Sequence, residues 1–72
     1  MTNAADIKYI KDMIPHHEMA LKMSAMEYVN GTDPDLKEFS LTVFIKQSEE
    51  ITWMKKWLER NGESDPKAKG MA

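Results

Sequence analysis

Seventy-two residues allow one small domain, and a core this size is marginal unless disulfides, a metal or self-association supplements it. Cysteine is absent, which excludes disulfides, zinc–thiolate and iron–sulfur centres and a thiol nucleophile. Ten basic against twelve acidic residues leave a net charge of −2 without the Lys/Arg cluster that nucleic acid requires, and no apolar run approaches a membrane span of about 20 residues.

Taken in chain order, Met1 to Asp6 is polar and no apolar core of a signal peptide follows, so the expectation is a cytoplasmic chain or a trimmed mature form. Asn3 or Thr2 can cap a helix running from about Ala4 to Val29. Pro15 falls inside it and predicts a kink near Lys11 to Pro15. A helix beginning only at Ile14-Pro15 is the alternative. The single kinked helix is preferred, because Ile7, Ile10, Ile14 and Leu21 hold one stripe across the proline. Residues 30–33, Asn-Gly-Thr-Asp, form the turn, with Gly31 expected as the left-handed residue that closes the helix. Asp33 reads as the cap of a second helix, with Pro34 at its first position. That helix runs from about Pro34 to Asn61 and is stopped by Asn61-Gly62. Residues 1–62 are thus the helical domain and residues 63–72 a polar tail expected to fray. There is no repeat and no strand pattern of period two.

At 100° per residue, the first helix gathers Ile7, Ile10, Met13, Ile14, His17, Ala20, Leu21, Ser24, Ala25 and Tyr28 on one face. The second gathers Leu36, Phe39, Val43, Phe44, Gln47, Glu50, Ile51, Met54, Trp57 and Leu58. A short turn between two rods of roughly 36–42 Å predicts an all-α, antiparallel two-helix hairpin. Faces this wide exceed what two helices can bury, so homo-oligomerisation is expected, with dimerisation giving a four-helix bundle.

Folding about Thr32 sets Tyr28 level with Leu36, Leu21 with Val43, Ile10 with Met54, His17 with Gln47 and Met13 with Glu50. The polar residues that interrupt the two apolar stripes therefore fall at one level. Three accounts compete. A buried hydrogen-bond network among His17, Gln47 and Glu50 would fix register and oligomer state. A metal site would take imidazole from His17 and His16, thioether from Met13 and Met54, and oxygen from Glu50 and Gln47. A His17/Glu50 acid–base pair has no nucleophile or phosphate-binding loop beside it, so no enzyme is expected.

Seven methionines against four leucines is an unusual balance. His16, Met19, Met23 and Met26 recur at spacings of three, four and three and form one stripe. It can pack against another subunit, or it can offer a ladder of soft donors for Cu(I) or Ag(I), since thioether is a poor ligand for magnesium, calcium or Fe(III). A di-iron centre would need a core glutamate on two helices and Glu-x-x-His on two others, and only Glu50 qualifies.

The blocks Met13-Ile-Pro-His16-His17-Glu-Met19-Ala20 and Gln47-Ser-Glu-Glu50-Ile51-Thr-Trp-Met54-Lys-Lys-Trp57-Leu58 resemble a bacterial family known as domain of unknown function 305. That family carries Met-Ile-x-His-His-x-x-Ala-x-x-Met in one helix and Gln-x-x-Glu-Ile-x-x-Met-x-x-Trp-Leu in the next. The likeness spans about Asp6 to Leu58 and implies a ferritin-like helical fold. Some members are exported proteins that bind copper or silver and support metal resistance. By resemblance, Met13, His16, His17, Met23, Gln47, Glu50 and Met54 are the matching positions, while Met19 and Met26 are additional thioethers. Longer members hold two hairpins in one chain, so a homodimer would supply the second here. The resulting expectation is a Cu(I)/Ag(I)-binding protein for buffering or resistance, with metal ligands drawn from His16, His17, Met13, Met19, Met23, Gln47, Glu50 and Met54. The alternative is a self-associating helical module whose His/Gln/Glu cluster is structural. Family members are often periplasmic or secreted, against the cytoplasmic reading of the N-terminus.

Overall fold

Asn3 opens the first helix by holding its own backbone extended while its side chain accepts from the Asp6 N–H at 3.0 Å. The Asp6 carboxylate accepts in return from the Asn3 N–H at 3.2 Å. This reciprocal pair satisfies two otherwise orphaned donors and sets an acidic residue at the positive end of the helix dipole. The computed structural model describes residues 2–63, in which α1 (Ala4–Asn30) and α2 (Pro34–Arg60) pack side by side as an antiparallel hairpin. No strand occurs among the described residues. α1 runs through Pro15 as one helix, with the proline on its exposed side. The polar tail, from Ser64 onward, lies outside the described residues.

The turn differs from expectation in its chemistry. Gly31 has φ −71° and ψ 158°, an extended conformation open to any residue, not the left-handed one. Its need for glycine is spatial: its N–H donates to the Glu27 carbonyl at 2.8 Å. A Cβ there would strike the Glu27 carboxylate and approach the Glu27 carbonyl oxygen to 2.6 Å. Asp33 then caps α2, its side chain accepting from the N–H groups of Asp35 (2.9 Å) and Leu36 (3.1 Å), with Pro34 in the first turn. The left-handed glycine is instead Gly62, φ 73°, at the far end of α2. There the Gly62 N–H donates to the Glu59 carbonyl (3.1 Å) and the Glu63 N–H to the Leu58 carbonyl (2.8 Å), the Schellman closure. It swings Glu63 back to accept from Lys11 Nζ at 2.7 Å, fastening the end of α2 to α1.

The core is small and lies away from the turn. Ile10 and Ile14 of α1 meet Ile51, Met54 and Leu58 of α2, flanked by Ile7, Met13, Leu21 and Trp57. In the half nearer the turn the buried residues are Ser24 and Ser40. Two such small side chains fill little of the space between the helices, and beside them Ala25, Tyr28, Val29, Leu41 and Phe44 border an apolar pocket of about 180 Å³. Tyr28, Leu36, Phe39 and Phe44, expected on the buried faces, are exposed.

A polar pair at the edge of the core

His17 lies one turn beyond Ile14 on α1, half-buried, with 14% of its side chain accessible. Its Nδ1–H donates to the Met13 carbonyl at 3.0 Å, one helical turn back. That contact fixes the ring plane and aims Nε2 across the hairpin, where it donates to Glu50 Oε1 at 2.6 Å. Both partners of the ring are acceptors, so an imidazole bearing both N–H groups satisfies both, whereas a neutral ring has only one to give. Glu50 keeps 57% of its side chain accessible. With a protonated ring the contact is an ion pair, and one this open to water contributes about 0–1 kcal/mol.

The His17–Glu50 bond expected of the polar cluster is present, and Met13 shares its groove, but Gln47, the residue level with His17 by backbone count, is not part of it. Side chains on a helix lean toward its N-terminus. In an antiparallel hairpin the lean of α1 points away from the turn and that of α2 toward it. A long side chain such as Glu50 therefore reaches about one turn back along α2, to the level where counting backbone positions places Gln47.

Around the pair, Tyr9, Ile10, Met13, His17, Glu50, Trp53 and Met54 line an open groove of about 320 Å³. Four expected site residues are thus brought together: Met13, His17, Glu50 and Met54. Gln47 is half-buried on the neighbouring turn but does not line the groove. His16, Met19 and Met23 do not join it either. His16 is exposed, and Met19, Met23 and Met26 stand out on the outer side of α1 with more than half of each residue accessible. Met23 and Met26 instead border a shallow concavity with Glu27, Asn30 and Gly31. Tyr9 and Trp53, which the sequence reading did not place in the site, form two of the groove's walls. Their signal was the i, i+4 spacing of Tyr9 to Met13 and the i, i+3 spacing of Glu50 to Trp53.

Among the described residues no three His, Asp or Glu side chains converge as a metal-holding group. The groove's lining brings together one imidazole, one carboxylate and the side chains of two methionines.

The fold and the groove together define a small helical-hairpin domain with a histidine–carboxylate pair on its open face. The chain belongs to the family described as domain of unknown function (DUF305), whose model matches residues 6–72. It is also similar to the "Uncharacterized protein L153" of Acanthamoeba polyphaga mimivirus, 37% identical over 54 residues, which is 75% of this chain and 36% of that protein. The chain therefore spans about a third of the length of the curated relative it matches. No solved structure matches. No helix among the described residues is long and apolar enough to cross a membrane.

Proposed function

We propose that this domain binds a soft monovalent metal ion, Cu(I) or Ag(I), as a buffering or resistance protein and not as an enzyme. The observation that carries the reading is the orientation of His17. Its Nδ1 is held by the Met13 carbonyl, so Nε2 opens onto a groove whose other donors are the Met13 and Met54 thioethers and the Glu50 carboxylate. A backbone acceptor behind a ligating imidazole is the usual means of fixing the tautomer and the ring plane. In this reading a cation takes the place of the Nε2 proton, Glu50 balances its charge, and the thioethers supply softness. His16, Met19 and Met23, on the outer side of α1, offer further donors outside the groove. No serine, threonine or lysine lines the groove to act beside a His17/Glu50 acid–base pair.

Titration with Cu(I) against bicinchoninate tests this. The parent competes for the ion, and His17→Leu and Met54→Leu each weaken it, while His16→Ala and Met23→Leu have smaller effects. Unchanged binding in the first two variants relocates the site. Failure of the parent to compete leaves the second reading, a self-associating helical module in which His17 and Glu50 are a structural pair. That reading is favoured by one observation of its own: the pair is already mutually satisfied at 2.6 Å.

A further inference from the structure

We propose that a second copy of this chain packs on the groove-bearing face of the hairpin and roofs the His17–Glu50 pair. The argument starts from α2. Positions four and three apart, through Ser40, Phe44, Gln47, Ile51, Met54 and Leu58, form the seam that faces α1, and all but Phe44, 37% exposed, are buried or half-buried. The same spacing shifted back by one residue gives Phe39, Val43, Lys46, Glu50, Trp53 and Trp57. Four of these six are large and apolar, and a second heptad seam on one helix is the signature of a second helical neighbour. Yet Phe39 is 65% and Trp53 56% exposed.

α1 repeats the pattern. Its inward seam runs through Ile7, Ile10, Ile14, His17, Leu21 and Ser24. Shifted back by one, it gives Asp6 in the first turn, then Tyr9, Met13, His16, Ala20 and Met23, with Tyr9 62% and Met23 65% exposed. In antiparallel helices the backward shift turns both seams to the same broad side, as the shared groove of Tyr9, Met13, Glu50 and Trp53 demonstrates. Shifted forward instead, α1 presents Lys8, Lys11, Pro15, Glu18, Lys22 and Ala25. One side of the hairpin is thus mainly apolar on both helices, whereas α1 is charged on the other as far as Lys22, beyond which Ala25 and Val29 line a small pocket with Leu41 and Phe44.

The occupant follows from the dimensions. A single peptide helix covers one seam, but this face is two helices wide and both seams are apolar, which matches another hairpin. Two 27-residue helices abreast, about 40 Å long and 10 Å wide each, present roughly the 800 Å² per partner of a stable association. Isologous pairing of the face with itself closes a four-helix bundle. A net charge of −2 opposes it little. The five-residue core and the absence of cysteine leave burial of this face as the supplement so small a domain needs. In the assembly Met13, His16 and Met23 turn inward, and Glu50 loses its contact with bulk water.

Sedimentation of chelator-treated protein at micromolar concentration tests the proposal apart from any metal binding. The expected species has twice the chain mass. Trp53→Glu or Phe39→Glu returns it to the chain mass, and Ile45→Glu, on the other side of α2, does not. Because a face variant can also unfold the hairpin, a cysteine scan accompanies it on this otherwise cysteine-free chain. Lys46→Cys yields a covalent dimer with a short bis-maleimide, and Thr52→Cys, on the opposite side, does not. A parent of single-chain mass overturns the proposal. So does a dimer broken by Ile45→Glu but not by Trp53→Glu, or linked through Thr52→Cys but not through Lys46→Cys.

Discussion

Met54 belongs to two structures at once, and a pair of substitutions separates them. It is 5% exposed within the core of Ile10, Ile14, Ile51 and Leu58, and its side chain also lines the groove beside His17. Met54→Leu preserves volume and apolarity and removes the sulfur. Such swaps cost under about 1.5 kcal/mol, which for a domain of this size lowers Tm by less than about 12 °C, at roughly 4–8 °C per kcal/mol. Met54→Ala leaves a cavity and costs about 2–5 kcal/mol, comparable to the roughly 3–5 kcal/mol that so small a core supplies. The alanine variant is therefore expected to be largely unfolded at room temperature. If the thioether is a ligand, Met54→Leu also weakens Cu(I) binding by at least about tenfold, or 1.4 kcal/mol, while remaining folded. Thermal unfolding followed by circular dichroism, with the bicinchoninate competition on the same samples, reads both quantities. A folded Met54→Leu protein that binds Cu(I) as the parent does removes Met54 from the ligand set and reduces it to packing.

Three further outcomes are expected. Leu58→Ala empties a position with no accessible surface and lowers stability by about 2–5 kcal/mol in chemical denaturation, whereas Val29→Ala, 74% exposed, changes it by less than about 0.5 kcal/mol. In the single hairpin, diluted below association, His17→Leu exchanges a half-buried polar group for an apolar one of similar size while Glu50 stays solvated, so Tm there holds or rises and Cu(I) competition is lost; a Tm several degrees below the parent's would show that the pair carries the fold. Gly31→Ala and Gly62→Ala both destabilise, for different reasons: the first by collision with the Glu27 carbonyl, the second by about 1 kcal/mol for an L side chain at φ 73°. Gly31→Ser, larger still, therefore falls below Gly31→Ala in Tm, and Gly62→Asn, tolerant of that backbone, recovers most of the loss.

What a sequence discloses here is what depends on neighbours along the chain. The caps at Asn3 and Asp33, the turn between them, Pro34 at the start of α2 and the Asn61-Gly62 stop are all i to i+3 chemistry, and each appears where that chemistry places it. The stripe of Ile10, Ile14, Ile51, Met54 and Leu58 follows from periodicity alone. Legibility fails where the answer depends on how two helices meet. The His17–Glu50 bond was legible as a polar cluster, but the lean of side chains toward each N-terminus, which carries Glu50 to the level of His17 and leaves Gln47 outside the groove, was not. Near the turn the serines Ser24 and Ser40 take the inward positions and Phe39 and Phe44 stay outside. The handedness assigned to Gly31 failed because either a left-handed or an extended residue can close a helix before Asp-Pro, and only coordinates show which carbonyl crowds the Cα. The candidate ligands divided for a similar reason. His16 and His17 are adjacent in sequence but 100° apart around α1, so one faces α2 and the other cannot.

That division gives His16 and Met23 a common explanation with Phe39 and Trp53. A thioether or an imidazole exposed on an isolated hairpin has no structural work to do, and a tryptophan exposed beside it is a liability for solubility. Placed on two adjoining heptad seams of one face, the same residues become a second core with polar groups at its centre. A lone polar group in such a core is expensive, but His17 and Glu50 are already joined, so covering them costs less than burying either separately. Assembly and soft-ion binding then act on the same surface. A cation held between His17, Glu50 and the thioethers would stabilise the closed form in proportion to its affinity for that form over the open hairpin. If Cu(I) leaves the monomer–dimer equilibrium unmoved at saturation, the two sites are thermodynamically independent, whatever their proximity.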